Sequence, residues 1–128
     1  MTERQRQYFN LPNRREDLPF SDGVLVGDTL YLSGRIGIDP ATGYAPEDIE
    51  QEIAFLLNGI KAVLEHAGMS MDDLVHVQIF CPDLSLFDQF NRRYRSYFTG
   101  NLPARAFIGS GPLLRNGRFE IMAQARKR

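Results

Sequence analysis

The chain has 128 residues, is 43% hydrophobic and 24% charged, and carries a formal net charge of −1 with a sequence pI near 6.1. Such a chain suits one soluble globular domain with one core, and it excludes a disordered polymer. The slightly acidic balance argues against a general nucleic-acid binder, and no apolar run is long enough to span a bilayer.

The opening segment, residues 1–17, is polar and mixed in charge, which predicts a loosely ordered start or an edge strand. It has no apolar signal core, so the expected compartment is the cytoplasm. Val24-Leu25-Val26 and Thr29-Leu30-Tyr31-Leu32-Ser33 flank Gly27-Asp28, the pattern of a β-hairpin. Gly34 and Gly37 sit in the continuation to Ile38 and suggest a bulge or a close backbone approach. Asp39-Pro40-Ala41-Thr42-Gly43 has turn chemistry. Pro46-Glu47-Asp48 is expected to open a helix, with proline at its first position and acids on the positive end of the helix dipole. Ile49, Ile53, Leu56, Leu57, Ile60, Val63 and Leu64 then form one apolar stripe at helical spacing, and Gly68 marks the stop.

Val75, Val77, Ile79 and Cys81 alternate with His76, Gln78 and Phe80, as in a strand with one apolar face. Cys81 is read there as a small buried hydrophobe, and being the only cysteine it allows no intramolecular disulfide. His66, His76 and Cys81 lack metal-ligand spacing, so no metal is expected. Ser85 is expected to cap a second helix running to about Phe98, with Phe87, Phe90, Tyr94, Tyr97 and Phe98 as its stripe. Asn91 falls mid-helix beside that stripe, where asparagine usually faces water.

Two further strands carry chemistry. In Leu102-Pro103-Ala104-Arg105-Ala106-Phe107-Ile108-Gly109, alternation places Arg105 and Phe107 on one face and Ala104, Ala106 and Ile108 on the other. A guanidinium in an apolar run is always charged and offers a rigid fork for a carboxylate or phosphate. An ordinary ion pair at an edge or subunit interface is the alternative. In the last strand, from Arg118 to Ala125, Glu120 stands between Phe119 and Ile121 on the opposite face from them. Shielding there would raise its pKa, and a solvated strand glutamate is the alternative. The order of elements predicts a sheet with both helices on one face, and the other face would most easily be buried against copies of the same chain.

Several stretches together resemble the reactive-intermediate deaminase (Rid, also called RidA/YjgF) family. They are Leu18-Pro19-Phe20-Ser21-Asp22-Gly23-Val24, Leu32-Ser33-Gly34-Arg35-Ile36, Ile38-Asp39-Pro40-Ala41-Thr42-Gly43, Phe90-Asn91-Arg92-Arg93-Tyr94, Leu102-Pro103-Ala104-Arg105 and Phe119-Glu120-Ile121. The likeness begins near residue 18 and covers the rest of the chain, so residues 18–128 are expected to form one Rid-like domain. It implies a chorismate-mutase-like α+β fold, a mixed sheet with two helices on one face, and a homotrimer with clefts at its subunit interfaces. It also implies that Arg105 binds a substrate carboxylate and that Glu120 positions water or exchanges a proton. By the same likeness Ser33 and Asn91 line the cleft, Phe20 stands where many members have tyrosine, and Phe107 contributes its backbone N–H where many have cysteine. Met122 replaces a second glutamate common near the end.

The implied activity is cofactor-free hydrolysis of small 2-imino or enamino acids to 2-oxo acids and ammonia. The alternatives are a non-catalytic trimer that binds a carboxylate metabolite, with Phe107 filling the space of a productive water, and a deaminase of a larger amino-dienoate stacked on Phe107. A third is the RNA cleavage for which older family members were named, against which the acidic pI and the lack of a paired histidine constellation count. No membrane partner is expected.

Overall fold

The computed structural model describes residues 5–128. The first four residues of the polar opening segment lie outside them. The apolar runs around Gly27-Asp28 form the expected hairpin: β2 (Gly23–Val26) pairs antiparallel with β3 (Thr29–Ile36). Gly27 takes the positive φ of 61° that the tight turn requires. β1 (Arg6–Phe9) adds antiparallel to the outer side of β2. With β4 (Leu74–Cys81), β5 (Ala104–Gly109) and β6 (Glu120–Arg126) the sheet has six strands in the order β1-β2-β3-β6-β4-β5. β4 and β5 run parallel, so the chain must cross over between them. β3 ends at Ile36 and does not continue to Ile38 as expected, because Gly37 packs directly against the backbone of Glu52 in the first helix, where a β-carbon would clash.

That helix, α1 (Ile49–His66), starts later than its sequence suggests. Asp48 is its N-cap, accepting a 3.0 Å hydrogen bond from the Glu50 N–H, and Pro46 stands outside the helix with its carbonyl accepting from Arg118. The expected stop holds. Gly68 has φ 77°, its N–H bonds the Glu65 carbonyl, and the Met69 N–H bonds that of Leu64, a Schellman closure. The second helix, α2 (Phe87–Arg95), departs from expectation at both ends. Asp83 accepts from both the N–H and the hydroxyl of Ser85, at 3.0 and 2.6 Å, so Ser85 lies inside a 3₁₀ turn over Leu84–Leu86 and does not cap the helix. At the far end the Ser96 hydroxyl turns back to the Arg93 carbonyl at 2.6 Å, and the N–H groups of Tyr97 and Phe98 bond three residues back, so Tyr97 and Phe98 follow the helix in a tighter turn.

Both helices pack on one sheet face. Ile53, Leu56, Leu57, Ile60, Val63 and Leu64 of α1 and Phe90 and Tyr94 of α2 share one core with Leu25, Leu30, Leu32, Val77, Ile79, Cys81, Phe119, Ile121, Ala123 and Ala125. Cys81 is fully buried, and burial pushes its thiol up, as suits a packing residue. Among the described residues no helix is long and apolar enough to cross a membrane.

Inside this core lies a charge that periodicity did not flag. Glu52 on α1 is fully buried. Its carboxylate accepts from the Arg118 N–H at 2.6 Å, the Arg118 Nε at 2.6 Å and the Phe119 N–H at 3.3 Å. These backbone donors are therefore unavailable for strand pairing, and β6 begins at Glu120 and not at Arg118. Replacing Glu52 with alanine strands two backbone N–H groups and a guanidinium. We expect Glu52→Ala to lose about 3–5 kcal/mol of folding free energy by urea titration. A loss below about 1 kcal/mol would mean that water replaces the carboxylate without penalty.

Candidate functional site

Arg105 sits on β5, paired in register with Val77 of β4, and Val77 points into the core. Its side chain therefore rises on the helix face. There the guanidinium donates from Nη1 to Asn91 Oδ1 at 2.7 Å. The mid-helix asparagine thus has a partner inside the fold and does not simply face water. The guanidinium carbon lies 4.9 Å from the ring centroid of Tyr94 and 5.6 Å from those of Phe87 and Phe107, within cation–π range of all three. Phe107 shares the face of Arg105, as alternation predicted, and its ring meets Phe87 and Phe90 edge-on at 5.1 and 5.7 Å.

The charge on this arginine has no carboxylate beside it. Arg14, Arg35 and Arg118, each largely buried in its side chain, pair with Asp22, Asp22 and Glu52. Arg105, half-buried as well, makes no ion pair among the described residues. Its neighbours are three aromatic faces and one amide oxygen, and the rest of its donor fork meets no carboxylate among the described residues. Tyr94 beside it is buried, its hydroxyl has no hydrogen-bond partner among the described residues, and burial pushes its pKa up to about 12 against the pull of Arg105.

Glu120 is placed by a different device. β3 carries one residue more than β6 between the Leu32–Ala123 and Arg35–Ile121 pairs, so Ser33-Gly34 forms the bulge that the glycine hinted at. A β-carbon on Gly34 would collide with Oε2 of Glu120, so glycine there provides the space that the carboxylate fills. Ser33 is held from the other side, with its hydroxyl donating to the Ser21 carbonyl at 2.5 Å and its N–H to the Asp22 carbonyl at 3.0 Å. Phe20 lies next along that segment. Its ring is exposed, and Arg14 grips it, with the guanidinium carbon 5.5 Å from the centroid and Nη2 donating to its carbonyl at 2.5 Å. The buried Asp22 ties the segment down by accepting from the Leu11 N–H at 2.8 Å and from Arg14 Nη1 at 3.0 Å.

The fold thus brings Arg105, Asn91 and Phe107 together, places Ser33 in the bulge beside Glu120 and ties the segment carrying Phe20 to it through Ser21. It does not join the two groups. Glu120 pairs with Phe80 and Arg105 with Val77, three residues apart on β4, so the two side chains leave opposite faces of the sheet. Sequence reasoning missed Tyr94 and Phe87 as the surroundings of Arg105, although both belong to the stripe it assigned to packing. A surface depression of about 440 Å³ is lined by residues 72–75, 101–104 and 126–128 and includes none of the candidate residues.

Comparison with known proteins places this arrangement. Residues 14–127 match the family model described as endoribonuclease L-PSP. A RutC family protein of Saccharolobus solfataricus is 40% identical over 85% of this chain and 87% of its own. The 2-iminobutanoate/2-iminopropanoate deaminase of Mus musculus is 35% identical over 84% of this chain and 80% of its own. The crystal structure of the Rid family protein YyfA from Yersinia pestis superposes with a TM-score of 0.88 at 31% identity, covering 96% of this chain and all of that one. With a mixed six-stranded sheet, two helices on one face and a match over nearly its whole length, this chain belongs to the Rid family, also described as RutC, YjgF or L-PSP.

Proposed function

We propose that the protein hydrolyses small 2-imino acids, of the type formed from 2-aminoacrylate, to 2-oxo acids and ammonia. The observation that carries this reading is the half-buried Arg105 with no carboxylate of its own. The deaminase name carried by the mouse relative supports it. Arg105 would take the substrate carboxylate through the N–H groups not given to Asn91. The oxygen of a water molecule then adds to the imine carbon while the imine nitrogen takes up a proton, giving a carbinolamine. The amine nitrogen then takes up a second proton, the carbon–nitrogen bond breaks as the hydroxyl gives up its proton to form the carbonyl, and ammonia departs, so that the protons taken and given balance. Glu120 would orient the water and carry these protons, which requires it within hydrogen-bond reach of the reacting carbon's substituents. The imine is already activated, so positioning and modest proton transfer suffice without a cofactor.

Arg105 and Glu120 project from opposite faces of one sheet, so a cleft containing both draws them from two copies of the chain. This supports a homotrimer with interfacial sites, as does the composition of the helix-free sheet face. Tyr8, Tyr31 and Met122 lie exposed there, with Val24 between the two tyrosines in the same row. Large apolar side chains on an uncovered sheet are a surface for burial. The Phe107 ring packs edge-on against Phe87 and Phe90, an arrangement that supports the catalytic reading over a binding role in which Phe107 fills the place of the water.

In an assay where a serine or threonine dehydratase releases the imine, the protein is expected to speed 2-oxo acid formation, and Arg105→Ala to lose that acceleration with its oligomer intact. Acceleration retained by Arg105→Ala would reassign the carboxylate site. Gly34→Ala is expected to lower kcat at least tenfold, since the new methyl occupies the volume of the Glu120 carboxylate; an unchanged kcat would remove Glu120 from the chemistry. Tyr31→Glu is expected to yield a folded monomer by light scattering, and that monomer to be inactive. An active monomer would sink the interfacial site.

A further inference from the structure

The Tyr94 hydroxyl is the unexplained polar atom nearest the site. It is buried and meets no well-formed hydrogen bond among the described residues, and leaving such a group unpaired is costly. Phenylalanine at 94 would keep the stacking with Phe90 and Phe98, whose centroids lie 5.8 and 4.9 Å away. The core therefore has no use for the oxygen. The charged group beside it is Arg105, whose guanidinium carbon lies 4.9 Å from the ring centroid. Of the polar atoms on α2, Asn91 Oδ1 already accepts from Nη1 of that guanidinium, one turn before Tyr94 on the same helix face.

We propose that Tyr94 is a positioning residue for Arg105, its ring carrying the guanidinium and its hydroxyl accepting an Arg105 N–H when a carboxylate is bound. Asn91 and Tyr94 then hold the fork from one side while the ligand takes the other. A flat guanidinium fixed at two points meets a carboxylate in one orientation, whereas one resting on aromatic faces alone can turn about its axis. The phenol stays neutral at physiological pH, consistent with its raised pKa, so it accepts without forming an ion pair that would compete with the ligand for the charge. In the free chain the hydroxyl lies beside Arg105, close enough for the guanidinium to pull its pKa down, but without a well-formed hydrogen bond to it.

This inference rests on the carboxylate role of Arg105 proposed above, and it separates from that role by experiment. The wild type, Tyr94→Phe, Tyr94→Leu and Arg105→Ala would be compared by calorimetric titration with pyruvate, by the dehydratase-coupled assay and by thermal unfolding without ligand. Tyr94→Phe should bind pyruvate about tenfold more weakly and show a KM raised by a similar factor. Its kcat should stay within about twofold of the wild type, and its unliganded Tm should be unchanged or higher. Tyr94→Leu, which removes the ring as well, should lose further affinity and stability together. Wild-type affinity and KM in Tyr94→Phe would overturn the positioning role and leave the deaminase reading standing. A lowered Tm in Tyr94→Phe with affinity unchanged would show the hydroxyl to be structural and overturn the role equally. A wild type that neither binds pyruvate nor accelerates the reaction, as Arg105→Ala should not, would overturn both.

Discussion

The buried contact between Glu52 and the chain at Arg118-Phe119 sets the rest of the geometry. One carboxylate on α1 takes two consecutive backbone N–H groups and a guanidinium, which fixes where β6 can begin. Phe119 is thereby committed to the core, where its ring lies 4.9 Å from that of Phe90, and Glu120 must leave on the other face. A slip of one residue would bring Glu120 among the helices and expel Phe119. A glutamate with no part in the proposed chemistry thus determines the direction in which the proposed acid–base residue points.

The same alternation governs Arg105. Its strand is parallel to β4 and in register with it, so a core valine alongside dictates a core-side arginine. What leaves that arginine available is the composition around it. The aromatic residues of α2 and β5 give its stem and plane a surface to lie on, and no carboxylate among the described residues claims it. The other largely buried arginines with acidic partners bind the fold together. Arg14 and Arg35 converge on Asp22 and lock the segment carrying Phe20 against β3, where Ser33 lies, and Arg118 secures β6.

Much of this was legible in the sequence, for physical reasons. Periods of two and of about four residues announced the strands and helices, because burial on one face imposes them. Arg105 and Glu120 stood out as charges in apolar strands. Three of the misread boundaries share a cause: a side chain from elsewhere, or an equally suitable neighbour, took the backbone donor. Asp48 caps α1 in preference to Pro46 leading it, Asp83 turns Ser85 into a donor, and Glu52, sixty-six positions away, shortens β6. Tyr94 was invisible as part of the site because its spacing is that of an ordinary core residue; only the unpaired oxygen on a packed ring distinguishes it.

The glycine at the β3 bulge defines the place of the Glu120 carboxylate by what it leaves out. Where Asp22 and Glu52 are pinned by several donors apiece, Glu120 is located by a void of the right size and makes no side-chain hydrogen bond among the described residues. A carboxylate confined by shape keeps its lone pairs unspent. In the proposed role it would exchange a proton without first breaking a bond that the fold relies on, so at that one position the chemistry asked of it and the stability of the fold are decoupled.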